Sequence, residues 1–478
     1  MYGSYGLFIE GAWSGPAGAT STDVVDPASG EVLGTVPVAT VADTQRAIAA
    51  AERAFGDWRK TAAWTRADTL HRIADVMTAR SDEAARRITL ETGKPLAQSG
   101  REWSLAVDQF RWYGEEARRI YGRIVESRAP GGRLEVSHEP VGVVAAFTAW
   151  NFPAALIARK VAPALAAGCA VIVRPSVEVP GVAMILFDCL REAGVPAGVA
   201  NLLIGPTANT YQPIMASPVV RKVSLTGSTR VGQQMIRDSA ETVKRVSMEL
   251  GGNAPMIVFE DADLDRALDL AVPTKYANAG QVCVTPDRFY VHEALHDRFA
   301  EGFAARARAL KLGHGLDAAT QMGPLINERR IAAIEDIIAD ADDRGGRILA
   351  GGRRPAEMNA GFFFEPTVIS GLPDDAKALA EENFGPIAAI TRFSHADDVF
   401  ERANASEMGL SAYVFTRDAG RAREAAERLE AGMVGVNSFA LAAAEAPFGG
   451  IKASGMGREG GTEGILDYSN VKLAQMTV

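Results

Sequence analysis

The sequence predicts an α/β protein of two domains, and three observations carry that expectation. At 478 residues the chain exceeds what one hydrophobic core commonly supports. Apolar residues make up 47% and charged residues 23%, a globular composition that sets aside a disordered or fibrous chain. Continuous apolar runs alternate with segments of helical length in two separate blocks, the pattern of parallel sheets covered on both faces.

In chain order, Leu7 to Ala39 holds short alternating runs broken by Gly and Pro-Ala-Ser-Gly, which predicts a meander of small strands. "TVAD" at Thr40 to Asp43 has capping-box spacing, and helical periodicity follows it as far as Gly93. Between Val141 and Gly232 the apolar runs "VGVVAAFTAW", "AVIVRPS", "VANLLIG" and "RKVSLTGS" predict parallel strands with helices between them. A second block opens after "MELGGN" with "APMIVFE" and runs through "RFYV", "FFFEPTVI" and "YVFTR" to "GMVGVN", so the two domains join near Glu249. Residues 118–138 read as a hairpin turning at Pro-Gly-Gly, and the tail "LDYSNVKLAQMTV" reads as a strand. A lone hairpin is marginal, so it is expected to pack on another subunit.

A formal net charge of -9, with Lys and Arg scattered along the chain, argues against a nucleic-acid partner. Val141 to Ala158 is the nearest approach to a membrane span, but Asn151 and Pro153 interrupt it and Arg159 and Lys160 close it. Three cysteines without a repeated spacing fit a reducing compartment, and the start of the chain lacks a secretory pattern, so a cytoplasmic protein is expected.

Ligands of open α/β sheets bind outside the carboxyl ends of the strands. There the sequence offers Gly227-Ser228 before a helix opening at about Thr229, Arg174 at the end of "AVIVR", and Trp150-Asn151 after "FTA". Amides and a hydroxyl at a helix start suit a phosphate, and an Asn amide can donate to a developing oxyanion. Cys283 lies among small residues that leave it approachable as a nucleophile, whereas Cys169 and Cys189 read as inert core thiols. Glu249 stands beside Leu-Gly-Gly-Asn, where glycines admit close neighbours and a carboxylate can serve as a base.

Taken together, "AWNFP", "SLTGST", "MELGGN", "GQVC", "EENFGP" and "PFGGIKASGMGRE" resemble the aldehyde dehydrogenase superfamily over essentially the whole chain, most closely its succinate-semialdehyde dehydrogenase branch. The resemblance implies an aldehyde dehydrogenase fold: a Rossmann-like cofactor domain (1–117 and 139–248, rejoined by about 446–462), an α/β catalytic domain (249–445) and an oligomerisation element (118–138 and 463–478). It implies NAD(P)+-dependent oxidation of an aldehyde to an acid by a homodimer or homotetramer. Cys283 matches the catalytic thiol, Glu249 the base, Asn151 the oxyanion donor, Lys160 a proton-relay lysine and Glu459 a carboxylate behind the base. Trp150, Arg174, Ser176, Gly205, Gly227, Ser228, Glu382 and Phe384 match cofactor positions, and Arg159 and Phe448 substrate positions.

Three departures sharpen these expectations. The superfamily's usual Lys-Pro-x-Glu reads Arg174-Pro175-Ser176-Val177; without that acid, and with Arg174 present, NADP+ is expected to be accepted. The second substrate arginine of the succinate-semialdehyde branch falls on Ala277, and the serine region on Ala442-Ala443-Ala444, so another aliphatic or aromatic aldehyde fits as an alternative substrate. Thr285 occupies the position of a second, redox-active cysteine, so no disulfide switch is expected.

"HEALH" at His292 to His296 formally matches a zinc-peptidase motif. It follows the strand "RFYV" directly and has no evident third ligand, so both histidines are expected to be a solvated, helix-capping pair with no metal. Metal-dependent peptidase activity and a non-catalytic binding protein are the rival readings.

Overall fold

The computed structural model describes residues 2–3, 5–14 and 20–477. Residues 15–19 of the expected meander and Val478 of the tail lie outside the described residues. Two large sheets organise the chain. The first has eight strands in the order Ala12–Ser14, Leu7–Ile9, Ala200–Leu202, Ala170–Arg174, Val143–Phe147, Val220–Thr226, Arg245–Glu249 and Gly455–Met456. Its five central strands are parallel; the antiparallel pair Leu7–Ile9 and Ala12–Ser14 borders one side and the antiparallel strand Gly455–Met456 the other.

Register is what builds a site here. Phe147 lies opposite both Arg174 and Leu225, and Thr226 opposite Glu249, so these strands end along one rim. The parallel part begins in the middle strand, Val143–Phe147, builds outward through Ala170–Arg174 and Ala200–Leu202, then returns to the first strand's other side at Val220–Thr226. That reversal opens a crevice between two strand ends, the usual ligand position in such sheets.

The second sheet has seven strands in the order Arg347–Ala350, Thr367–Ser370, Ile387–Phe393, Pro286–His292, Ala254–Val258, Ser411–Phe415 and Met433–Val436, all parallel except the first. Leu250 to Asn253 carries the chain from the carboxyl end of one sheet to the amino end of the other. The strand Ile387–Phe393 was not among the expected runs.

The capping box forms as expected: Thr40 Oγ1 accepts from the Asp43 amide at 3.1 Å, and Asp43 accepts from the Thr40 amide at 3.0 Å. The helical stretch to Gly93 is three helices, Val41–Trp58, Ala63–Ala79 and Ser81–Thr92, the last two separated at Arg80 (φ -106°, ψ 19°). The expected meander divides: Leu7–Ile9 and Ala12–Ser14 edge the first sheet, while Ser21–Val25 pairs with Val32–Pro37 in a separate two-stranded sheet. The hairpin spans Arg123–Glu126 and Gly132–Pro140 and takes the tail Ser469–Thr477 as a third strand. Among the described residues no helix is long and apolar enough to cross a membrane.

Candidate active site

A cavity of about 380 Å³ lies where the carboxyl rim of the first sheet faces the amino rim of the second. Trp150 and Asn151 reach it from the turn after Val143–Phe147, Gly227 and Ser228 from the end of Val220–Thr226, and Cys283 from the loop before Pro286–His292. Arg159, Glu382, Phe384 and Phe448 complete its walls. Residues from six separate stretches therefore converge on one space.

Cys283 is partly accessible and is held by its loop rather than by its own side chain. Val284 O accepts from Tyr413 Oη at 2.6 Å, and Gln281 O accepts from Asn151 Nδ2 at 3.1 Å. A Cβ on Gly252 would collide with the Cys283 carbonyl oxygen, so glycine at this junction admits the Cys283 loop. Burial and the charge of Glu249 push the Cys283 thiol up, with Arg159 acting weakly the other way. The resting sulfur is thus a neutral thiol that needs a base to become a nucleophile.

A candidate base stands nearby. Glu249 is buried with neither carboxylate oxygen hydrogen-bonded, and burial first, then the Glu459 charge, pushes its pKa up to about 8. Behind it Lys160 is ion-paired with Glu459 and donates to Thr226 Oγ1 at 2.7 Å. A buried acid poised near neutrality suits proton transfer, either from a thiol or from water.

The opposite wall is cationic. Arg159, buried, lays its guanidinium over the Phe448 ring at 4.0 Å, and among the described residues it has no carboxylate partner. A buried cation with no ion pair at contact distance suits an anionic ligand. Ala442 and Leu105 lead outward from it to a second cavity of about 830 Å³.

This geometry has close counterparts. The profile of the Aldehyde dehydrogenase family matches residues 13–474. The chain belongs to that family. It is 46% identical to a 3-sulfolactaldehyde dehydrogenase of Pseudomonas putida over 97% of this chain and 95% of the relative. It is 45% identical to a succinate-semialdehyde dehydrogenase [NADP(+)] of Escherichia coli over 97% and 96%. A crystal structure of succinate-semialdehyde dehydrogenase from Burkholderia pseudomallei superposes with a TM-score of 0.97 at 45% identity, covering 99% and 98%. The chain thus has the aldehyde dehydrogenase fold and the family's NAD(P)-dependent aldehyde-oxidising activity.

The remaining groups fit a nicotinamide dinucleotide. Ser228 caps the helix Thr229–Ser239 through the Val231 amide, putting first-turn amides and a hydroxyl at the crevice as a pyrophosphate requires. Glu382 accepts from the Gly252 amide at 2.9 Å, and a Cβ on Gly251 would stand 2.6 Å from its carboxylate. That leaves a fixed acceptor suited to a ribose diol. Burial pushes Glu382 up to about 7. Trp150 and Phe384 stand edge to face, ring centroids 5.5 Å apart. Further along the rim, Arg174 donates to Gly205 O at 2.9 Å, while Ser176 donates to Glu178, which also meets Arg329 at 3.2 Å.

"HEALH" takes no part in this site, and one expectation about it needs correction. His292 does cap the helix Glu293–Arg308, accepting from the Ala294 amide at 3.3 Å. His296 is not solvated: it is 3% exposed, bonded to Asp297 at 2.8 Å and contacted by Arg392 and Ser370. One turn into the helix, its ring is turned under the Thr367–Ser370 and Ile387–Phe393 strands rather than outward. Among the described residues no group of three or more His, Cys, Asp or Glu side chains is placed to hold a metal.

Sequence reasoning overlooked several groups at this site. Arg330 lines the cavity and donates to Asn383 O at 2.7 Å and Phe384 O at 3.0 Å. Tyr113 stands where the Glu459 charge and burial raise its hydroxyl pKa. Lys94, Glu102 and Asn278 surround the Asn151 backbone. Only "ETGKP", with Lys94 in a turn between helices, carried any local signal.

Proposed function

We propose that this chain oxidises a short aldehyde bearing a distal carboxylate or sulfonate, of the semialdehyde type, to the corresponding acid. The observation that carries the reading is Arg159, a buried cation with no ion-pair partner among the described residues, on the wall of the same cavity as Cys283. Two of the relatives described above are named for aldehydes with such a distal anion.

In this reading Cys283 loses its proton toward Glu249 and adds to the aldehyde carbon, while the second N–H of the Asn151 amide and the Cys283 backbone amide receive the oxyanion. When bound, the nicotinamide supplies the acceptor for the hydride, held by Ser228, Glu382 and the aromatic pair. Cys283 then carries a thioester, and Glu249 draws a proton from water to hydrolyse it. Lys160 and Glu459 set the charge felt by Glu249 and give the proton an onward path.

We also propose that NADP+ is accepted. Val177 carries no charge where the superfamily's acid would stand, and Arg174 can pair with a 2'-phosphate. Glu178 limits this preference because its carboxylate is held at the same rim by Ser176. Residues 1–117 and 139–248, with the returning strand, form the cofactor unit, and 249–445 the catalytic unit. The three-stranded sheet, with exposed Ile124, Val471 and Leu473, joins subunits into a homodimer or homotetramer. Three free cysteines suit a reducing cytoplasm.

Apolar walls at Leu105, Phe152, Val284 and Phe448 favour one second reading, an uncharged aliphatic or aromatic aldehyde. A panel of ω-carboxylated, ω-sulfonated and uncharged aldehydes, with both cofactors, decides between them. Higher kcat/KM on uncharged aldehydes sinks the first reading, and turnover surviving Cys283→Ala sinks the assigned nucleophile.

A further inference from the structure

Lys94 sits in the turn between Ser81–Thr92 and Leu96–Glu116, and Glu102 lies two turns into the second helix. Both are fully buried. Lys94 Nζ meets three partners: Glu102 Oε2 at 2.6 Å, the Asn151 carbonyl oxygen at 2.6 Å and the face of Phe152 at 4.0 Å. Glu102 Oε1 in turn accepts from the amides of Ala154 at 2.8 Å and Ala155 at 3.5 Å.

Those amides open the helix Pro153–Ala167, whose N-cap residue, Phe152, contributes no side-chain cap. Orphan amides at a buried helix start need an acceptor, and a carboxylate there also opposes the helix dipole favourably. Glu102 therefore caps this helix from a different helix. The capped helix follows Asn151 directly and carries Arg159 and Lys160.

Asn151 is thus held from two sides. Its carbonyl oxygen takes Lys94 and also Asn278 Nδ2 at 3.2 Å, while its own Nδ2 donates to Gln281 O. Asn278 also donates to Gln281 O at 3.3 Å, from a left-handed backbone (φ 48°). The turn bearing the amide and the loop bearing Cys283 are tied into one network.

A buried ion pair adds little to stability that two apolar side chains of equal volume would not supply. What apolar side chains cannot do is fix one carbonyl and two amides in direction. We propose that Lys94 and Glu102 are positioning residues that aim the Asn151 amide at the reacting oxygen. This rests on the reading of Asn151 as oxyanion donor given above. A shift of about 1 Å at such a group costs roughly a hundredfold in rate.

The test is a double-mutant cycle of Lys94→Met and Asn151→Ala, reading kcat at saturating aldehyde and NAD(P)+, melting temperature, and alkylation of Cys283 by iodoacetamide without cofactor. Lys94→Met is expected to lower kcat about a hundredfold, with Cys283 alkylation within about twofold of wild type. The double variant is expected to match Asn151→Ala alone, because the lysine acts through the amide. Should Lys94→Met fail to fold, Glu102→Gln, which keeps the side-chain shape and one acceptor, replaces it in the same cycle with an expected loss of about tenfold. Losses that multiply in the double variant, or an unchanged kcat in the folded Lys94→Met or Glu102→Gln protein, overturn this inference alone. An unchanged kcat in Asn151→Ala overturns the oxyanion role and this inference with it.

Discussion

Lys160 and Glu459, 299 residues apart in sequence, form a buried ion pair directly behind Glu249. Neither touches Glu249 through a hydrogen bond, yet both act on it through space: the Glu459 charge raises its pKa and the Lys160 charge lowers it. In a low-dielectric site this pair sets the pH at which the base becomes available.

A pH profile follows. Glu249 sits at about 8, so it is protonated at neutral pH and activity limited by thioester hydrolysis rises as pH increases through that value. Glu459→Gln removes the charge that raises it and leaves Lys160, which lowers it, so the apparent pKa is expected to fall. The dependence of kcat on pH in both proteins measures this; an upward shift in the variant contradicts it.

The thiols should separate by burial. Burial pushes Cys169 up to about 11 and Cys189 up to about 12, and both lie in the core of the first sheet. At pH 8 iodoacetamide is expected to label Cys283 alone, as read by peptide mass spectrometry. Equal labelling of all three cysteines in folded protein contradicts the assignment.

Arg159→Met should act on KM more than on kcat. Losing a buried charge-assisted contact costs about 2–5 kcal/mol, so kcat/KM for an ω-carboxylated aldehyde is expected to fall by at least tenfold. For an uncharged aldehyde of the same length it should change little or improve. Parallel losses on both substrates would show that Arg159 serves the fold and not the anion.

Cofactor discrimination should respond to Glu178. Its carboxylate lies beside Ser176 and acts electrostatically on Arg174. Glu178→Gln is expected to tighten NADP+ relative to NAD+ by about tenfold, or 1.4 kcal/mol, measured as dissociation constants by calorimetry. An unchanged ratio places the 2'-phosphate elsewhere.

Much of this was legible locally. The capping box at Thr40, the parallel strands of both blocks, the helix opening at Thr229 and the approachable Cys283 each followed from spacing and side-chain chemistry within a dozen residues. The break at Arg80 was not, because both flanking segments keep helical periodicity and the interruption is one residue of backbone. Nor was His296, whose exposure depends on strands 70 or more residues further on packing over it.

The sequence by itself determined the class of protein and the family and singled out the candidate reacting side chains, because hydrophobic period and motif chemistry are local properties. Only the tertiary structure decided how those side chains are charged and aimed. It left Glu249 without a hydrogen bond beside the Lys160–Glu459 pair, left Arg159 with no ion-pair partner among the described residues and set Lys94 beneath Asn151. Desolvation and Coulomb interaction depend on distance in space, and in this chain the Asn151 amide and the Gln281 carbonyl it meets lie 130 residues apart along the sequence, and Lys160 and Glu459 lie 299 apart.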